Sequence, residues 1–163
     1  MPVALLLLFV AALLTQPPAT AALRAQAPAS PAASALDFEF FRAKVQPIFV
    51  AKRDGHTRCI SCHSKGTPMR FQELSPGATT WNEEQSRKNF QVVLPRVVRR
   101  NLIESKLLVH PLLAEGGGDF YHSGGKHWNS FLDPEWQTIA NWVCGRKATD
   151  KIVELTGSCA GGE

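Results

Sequence analysis

A pentapeptide near the middle of the chain, Cys59-Ile60-Ser61-Cys62-His63, has the residue types and the spacing that can attach a haem covalently. The thiols of Cys59 and Cys62 can each add to a vinyl group of one porphyrin, because a gap of two residues keeps both sulfurs within reach of the same ring. His63 follows directly, so that its Nε2 can bind the iron from the proximal side. The pattern predicts one haem c, with His63 as the proximal iron ligand.

A bare Cys-x-x-Cys pair has two other interpretations. A zinc site usually needs a second ligand pair of similar form, and Cys144 and Cys159 stand too far apart in the sequence to supply it. A thioredoxin-like redox pair opens a helix that follows a strand, and no such alternation surrounds Cys59. Haem is the favoured interpretation, with zinc and redox chemistry as the alternatives.

The N-terminal region indicates export. An apolar run from Val3 to Leu14 precedes two prolines and the small-residue sequence Ala19-Thr20-Ala21. We predict a signal peptide over residues 1–21, cleaved after Ala21, since the run is too short for a comfortable membrane span. This places the protein in the periplasm, with membrane attachment only if the segment stays uncleaved.

The remaining chain divides by composition. Residues 22–36 are rich in Ala and Pro and predict a flexible tether, because they offer no periodic apolar pattern. Residues 37–159 have the length of one domain, and residues 160–163 form a frayed tail.

Helical patterns dominate the predicted domain, so we expect an all-α fold with long loops. Three residues are expected N-caps of its longer helices: Asp37, Asn82 and Asp133. The first helix has an apolar stripe made by Phe38, Phe41, Val45, Ile48 and Phe49, and Pro47 should kink it.

The later elements have clear end signals. The second helix should end at Pro95, and a short one is expected from Glu104 to Val109. Pro134 and Gly145 bracket the last helix, whose expected buried residues are Trp136, Ile139, Ala140 and Val143. Met69 to Leu74 is the only candidate extended segment.

From about Asp37 to Gly145 the chain resembles monohaem cytochromes c, and more narrowly the exported cytochrome c domains of planctomycete- and acidobacteria-type proteins. The residues that carry the resemblance are Val45-Gln46-Pro47-Ile48-Phe49, the Cys59–His63 motif, Ser105 to Leu112, Gly117 to Gly125, Asp133 to Trp136, and Trp142-Val143. The resemblance implies a small cytochrome c-like domain in which the first and last helices cross and pack around one covalently attached haem.

The distal iron ligand is where the chain departs from that family. Related domains often place a Met before the final helix, whereas this chain has His122-Ser123-Gly124-Gly125 there. By this position His122 is the leading distal candidate, and the two glycines would let the backbone pass close to a flat ring. His110 is the alternative, followed by His127 or an open position.

The other residues near the motif have plainer interpretations. Met69 follows His63 too closely to reach the opposite haem face, so it should pack as an ordinary apolar residue. We expect His127 and His56 to face solvent. Trp81, Trp128 and Tyr121 are candidates to line the haem pocket.

Cys144 and Cys159 remain after the haem motif takes its pair. In an oxidising compartment they could form a disulfide that pins the C-terminal segment to the last helix. The alternative is a buried Cys144 and a free thiol at Cys159. The disulfide is the favoured interpretation.

The charge pattern bears on partners. The chain has formal net charge +4. The sequence around the haem motif contains one acidic residue, Asp54, and five basic ones: Lys52, Arg53, Arg58, Lys65 and Arg70. A positive collar of this kind could steer an acidic redox partner, or it could simply be a solvated loop. Nucleic acid is a poor partner for an exported haem protein.

These observations predict a one-electron carrier with His/His ligation, which is an electron-transfer protein rather than an enzyme. Two alternatives remain open. One is a haem enzyme, such as a peroxidase or the haem subunit of a periplasmic oxidoreductase, and the other is a haem-based gas sensor.

Overall fold

Helices are the only regular elements in the part of the chain that the computed structural model describes, residues 36–152, 154–155 and 157–159. Isolated bridges occur within this part, but none of them extends into a strand. The all-α prediction is therefore confirmed at this level, and residues 69–74 form no strand. The predicted signal peptide, the tether up to residue 35 and the tail at residues 160–163 lie outside the described residues.

The first helical segment, α1, spans residues 38–50 in three continuous parts: α-helical Phe38–Phe40, π-helical Phe41–Val45 and α-helical Gln46–Val50. Asp37 caps it as predicted, because its Oδ1 accepts the N–H of Phe40 at 2.9 Å. The sequence predicted a kink at Pro47, and the structure has a π-helical turn directly before it. Such a widened turn accommodates a residue that cannot donate to the regular helical ladder.

Four further α-helices follow: α2 at Cys59–His63, α3 at Glu83–Val93, α4 at Lys106–Val109 and α5 at Pro134–Cys144. Asn82 forms a complete capping box with Gln85 at the start of α3. A 3₁₀ turn at Leu94–Arg96 contains Pro95 and ends this helix.

The α5 boundaries agree with the prediction. Asp133 accepts the N–H groups of Glu135 and Trp136, Pro134 is the first helical residue, and Gly145 ends the helix at a φ of 67°. The predicted buried face is confirmed. Burial extends beyond it to Asn141, Trp142 and Cys144.

The first and last helices pack against each other. The Trp142 indole donates to the Asp37 carbonyl at 2.8 Å, and its ring lies 5.4 Å from that of Phe41. Phe90 from α3 joins this cluster at 5.2 Å from Phe41. Large aromatic side chains bury much apolar area, so this cluster is a main source of stability.

The C-terminal segment is covalently tied to α5. Cys144 and Cys159 form a disulfide, with their Cα atoms 5.5 Å apart, and the Cys159 N–H donates to the Arg100 carbonyl at 3.0 Å. Within the described ranges, no helix has both the length and the apolar character needed to cross a membrane.

Candidate functional site

The haem motif lies on the short helix α2, which puts Cys59, Cys62 and His63 on little more than one turn. Both cysteines are free thiols; Cys62 is exposed and Cys59 is half-buried. Burial raises the pKa of the Cys59 thiol, and the guanidinium of Arg53 opposes that rise. The two sulfurs and the following imidazole all border one cavity.

One ring nitrogen of His63, Nδ1, is hydrogen-bonded within the protein. Its Nδ1 donates to the Met69 carbonyl at 2.8 Å, and the Thr67 hydroxyl lies 3.0 Å from the same nitrogen. Because a carbonyl can only accept, Nδ1 carries the proton and Nε2 keeps its lone pair. Burial lowers the pKa of His63, which also favours the neutral ring needed in a metal ligand.

Met69 packs against the hydrophobic core, as the sequence predicted. The sequence did not predict that the backbone carbonyl of Met69 orients the His63 ring. A backbone acceptor carries no residue-type signal, so only the folded path of residues 64–69 could show it.

His122 has the same arrangement. Its Nδ1 donates to the Gly125 carbonyl at 2.6 Å, while the Gly125 N–H donates back to the His122 carbonyl at 2.9 Å. This tight turn requires the positive φ of 81° at Gly125. A Cβ at Gly124 would lie 3.3 Å from Cε1 of the His122 ring. The sequence predicted that Gly124 and Gly125 let the backbone pass close to a flat ring. In the structure, the ring next to Gly124 is the imidazole of His122 itself.

The rings of His63 and His122 lie nearly parallel, at 15° between their planes, with centroids 6.3 Å apart. One metal ion bound by both Nε2 atoms would set the centroids about 6 Å apart, from two bonds of about 2.0 Å and about 1 Å within each ring. The His63–His122 spacing matches this distance, and the His110–His122 spacing of 6.4 Å matches it equally, so the haem motif is what selects His63. Sequence reasoning singled out both His63 and His122.

Two of the other three histidines, His110 and His127, lie next to His122, and His56 lies next to His127. The His110 ring lies 6.4 Å from that of His122 and within 16° of parallel, and its Nδ1 contacts the Asp119 carboxylate. The ring centroid of His127 lies 6.0 Å from that of His122, and the ring centroid of His56 lies 5.4 Å from that of His127.

The predicted solvent exposure of His127 is wrong. Its side chain is only 8% exposed, because its loop is held by a bond from its own N–H to the Pro111 carbonyl at 2.7 Å. Burial, reinforced by the nearby Arg53 cation, lowers the pKa of His127 to about 4, so the ring is neutral at pH 7. His56 is half-buried rather than fully exposed.

The cavity has a volume of about 270 Å³. Its apolar walls include Phe49, Met69, Leu107 and Trp128, so of the three predicted pocket aromatics Trp128 lines it. Trp81 instead donates from the core to the Gln72 carbonyl at 2.7 Å, and Tyr121 is 71% exposed.

The charged residues that line the cavity are all basic: Arg58, Arg96 and Lys106. No described Asp or Glu lines it, and the Asp119 carboxylate pairs with one of these cations, at 3.3 Å from Lys106 Nζ. A cavity of this charge suits an anionic ligand with a large apolar body, which describes a haem with its two propionates.

The predicted positive collar needs one correction. Arg53 is not a free cation, because its Nε pairs with the Glu135 carboxylate at the start of α5. The same guanidinium donates to the Ile48 carbonyl at 3.1 Å and lies 5.9 Å above the Trp128 ring. Arg53 therefore ties the loop before the haem motif to the last helix. No local pattern indicates this contact, which joins residues 82 positions apart.

The described residues contain no cluster of three or more His, Cys, Asp or Glu side chains with the geometry of a metal site. A haem needs only axial ligands from the chain, because its porphyrin supplies the other four nitrogens. No protein-family model, curated protein sequence or solved structure matches this chain.

Proposed function

We propose that the chain is a c-type monohaem cytochrome that carries single electrons in an exported electron-transfer chain. In this proposal Cys59 and Cys62 anchor the haem, and His63 and His122 are its axial ligands. The observation that carries it is the imidazole pair beside two free thiols: parallel rings 6.3 Å apart, each with Nδ1 donated to a backbone carbonyl. The resemblance of the motifs to monohaem cytochromes c supports the same conclusion.

A bound haem supplies a one-electron couple between ferric and ferrous iron. The chain would set its properties through His63 and His122. Donation from each Nδ1 to a carbonyl fixes the tautomer and raises the basicity of Nε2. Two imidazoles also give a lower potential than an imidazole with a thioether, so we expect a reducing carrier.

The surrounding residues support a carrier rather than an enzyme. Two strong nitrogen ligands, His63 and His122, would leave no open position for small molecules on a bound iron, which would favour electron transfer. Arg58, Arg96 and Lys106 would supply positive charge for the propionates of a bound haem, and the apolar walls would shield its ring from water.

The covalent attachment is tested by extraction. The mature protein is purified from a host with a cytochrome c maturation system, denatured, and extracted with acidified acetone. The pigment should remain with the polypeptide. The double variant Cys59→Ser/Cys62→Ser should release it, whereas Cys144→Ser/Cys159→Ser should retain it. Release of pigment from the unaltered protein contradicts the proposal.

The axial ligation is tested by visible spectroscopy. We expect a low-spin spectrum for the unaltered protein and a high-spin spectrum for His122→Ala, because the iron loses one strong-field nitrogen. His56→Ala removes an imidazole from the same histidine group without touching the proposed ligands, and it should leave the spectrum low-spin. A low-spin spectrum in the His122→Ala variant refutes His122 as the ligand.

A second candidate function, a haem-based gas sensor, is favoured by one observation. His127 is buried beside His122 and lines the cavity, and its Nδ1 has no hydrogen-bond partner among the described residues. Such a group could donate to a gas ligand that displaces His122. Carbon monoxide distinguishes the two functions: an unchanged ferrous spectrum supports the carrier, and a large shift supports the sensor.

A further inference from the structure

We infer that Thr67 is a positioning residue for His63, because its hydroxyl competes for the Met69 carbonyl and so sets how strongly the His63 ring donates its Nδ1 proton. The inference rests on the proposed haem function, since the strength of that bond would tune the reduction potential of an iron bound at His63. It assigns a role to a side chain that neither the haem motif nor the resemblance singles out.

Three polar atoms meet beside His63, and each pair of them lies within hydrogen-bond distance. The ring Nδ1 lies 2.8 Å from the Met69 carbonyl oxygen and 3.0 Å from Thr67 Oγ1. The Thr67 hydroxyl donates to the same carbonyl oxygen at 2.9 Å. The carbonyl therefore receives two donors, one on each lone pair. Two donors on one oxygen weaken each other, because each withdraws part of the negative charge that attracts the other.

The corresponding bond at His122 has no such competitor. Among the described residues, the Gly125 carbonyl accepts a proton from the His122 ring alone, and the distance is 2.6 Å, against 2.8 Å at His63. The two imidazoles are thus hydrogen-bonded in the same way, and Thr67 is the group that distinguishes them.

The local sequence fixes the Thr67 hydroxyl in this place. Thr67 is β-branched, which restricts the rotation of its side chain, and it precedes Pro68, which disfavours the helical region for its backbone. The segment that follows closes back on α2, because the Phe71 N–H donates to the His63 carbonyl at 2.6 Å. The hydroxyl and the Met69 carbonyl are therefore held in place relative to the His63 ring.

Removing the hydroxyl should strengthen the bond between the ring and the carbonyl. In Thr67→Val the Met69 carbonyl keeps one donor, His63, and the side chain keeps its branched shape. Stronger donation from Nδ1 makes Nε2 more basic, and a more basic ligand favours the ferric state of a bound iron. We expect the equilibrium constant for reduction to fall about threefold, a potential about 30 mV lower, since a tenfold change corresponds to about 59 mV for one electron.

Two measurements on the haem-loaded protein test this effect. Spectroelectrochemical titration gives the reduction potential. Proton NMR of the reduced, low-spin protein with isotope-labelled histidine gives the chemical shift of the His63 Nδ1 proton. This signal moves downfield as its hydrogen bond strengthens, so the bond is observed independently of the potential.

Two variants serve as matched controls. Thr67→Ser keeps the hydroxyl, so it should keep both the potential and the proton shift of the unaltered protein. Thr57→Val makes the same exchange of hydroxyl for methyl in the wall of the same cavity, without a hydrogen bond to His63 among the described residues. A less polar wall by itself disfavours the more highly charged ferric iron and raises the potential. Thr57→Val should therefore not lower the potential, and its Nδ1 proton shift should stay unchanged.

The sign of the change decides the outcome. A potential that rises in Thr67→Val overturns the inference, because the hydroxyl then supports the bond at His63 instead of weakening it. An equal fall in Thr57→Val, or an Nδ1 proton in Thr67→Val that does not move downfield, overturns it as well. If Thr67→Val does not fold, Thr67→Ala takes its place, because it also removes the hydroxyl. Failure of the haem proposal is detected separately, as loss of pigment or of the low-spin spectrum in the unaltered protein.

Discussion

At the scale of single residues, backbone carbonyls orient the two histidines that we propose as iron ligands, His63 and His122. Met69 and Gly125 each offer a carbonyl to an Nδ1, and each carbonyl stands close in sequence to the histidine it orients. Outer partners of this kind fix both the tautomer and the direction of a ligating imidazole. The identity of a side chain is visible in the sequence, but such a partner is not.

Gly124 offers a residue-scale test of this arrangement. In Gly124→Ala the new Cβ would lie 3.3 Å from Cε1 of the His122 ring, so the imidazole must shift by a few tenths of an ångström. Because ligation depends on accurate placement, we expect a partial conversion of the haem to high spin and easier displacement of His122 by carbon monoxide. Ultraviolet–visible and resonance Raman spectra measure both effects.

The matched control is Gly66→Ala. A Cβ at Gly66 meets no atom within 4 Å, and this glycine does not have a positive φ. Its spectrum should equal that of the unaltered protein. Equal spectra for the variants at positions 124 and 66 would show that His122 does not need the space left by Gly124.

At the scale of elements, the sequence predicted helix ends correctly where residues close in the chain determine them. Asn82, Asp133 and Gly145 provide caps whose chemistry depends on neighbours within three or four residues, and all three were predicted correctly. The π-helical turn of α1 and the short helix α2 were not predicted. Both depend on packing that local patterns do not record, and α4 starts two residues later than expected for the same reason.

The candidate site also combines features that the sequence indicates with features that only the folded structure shows. Spacing and the resemblance singled out Cys59, Cys62, His63 and His122, and the structure places all four around one cavity. The burial of His127 and the pairing of Arg53 with Glu135 could not be predicted in this way, because they arise where distant loops meet. Long-range contacts leave no periodic trace in a single sequence.

Helix α3 supports the site through one buried amide, which gives an element-scale prediction. Asn89 is fully buried, and its Oδ1 accepts the N–H of Gln72 at 2.7 Å, which holds the segment that follows Met69. Asn89→Ala leaves that N–H without its acceptor. We expect a loss of about 1–3 kcal/mol in the free energy of unfolding, measured by denaturant titration.

The control for this helix is Asn82→Ala, which removes the N-cap and should cost about 1 kcal/mol. Only the Asn89 variant should also change the haem spectrum, because Asn89 bonds Gln72 directly, close to Met69, whereas Asn82 reaches this segment only through Gln85 and the Glu73 carbonyl. If both variants lose stability and neither alters the spectrum, α3 contributes to the fold but does not position the site.

At the scale of the whole molecule, two long-range contacts tie the region of α1 to α5. The Trp142 indole links α5 to Asp37, and Glu135 links the start of α5 to Arg53, just before the haem motif. These contacts tie the beginning of the described chain to its last helix. A haem held by α2 would therefore bind beside helices that the protein's own contacts already join. We call α1, α5 and these contacts the helical frame.

The disulfide extends that frame to the C-terminal segment and gives the last prediction. The bond between Cys144 and Cys159 closes a loop across a sequence separation of 15 residues. Restricting a chain loop of that length in the unfolded state is worth about 3 kcal/mol. We expect Cys144→Ser/Cys159→Ser to lower the free energy of unfolding by about this amount, with an unchanged haem spectrum, because neither cysteine lines the cavity. Reduction of the unaltered protein with a phosphine should reproduce the loss while the thioether bonds survive. An unfolding free energy that neither treatment changes would mean that the bridge does not stabilise the fold.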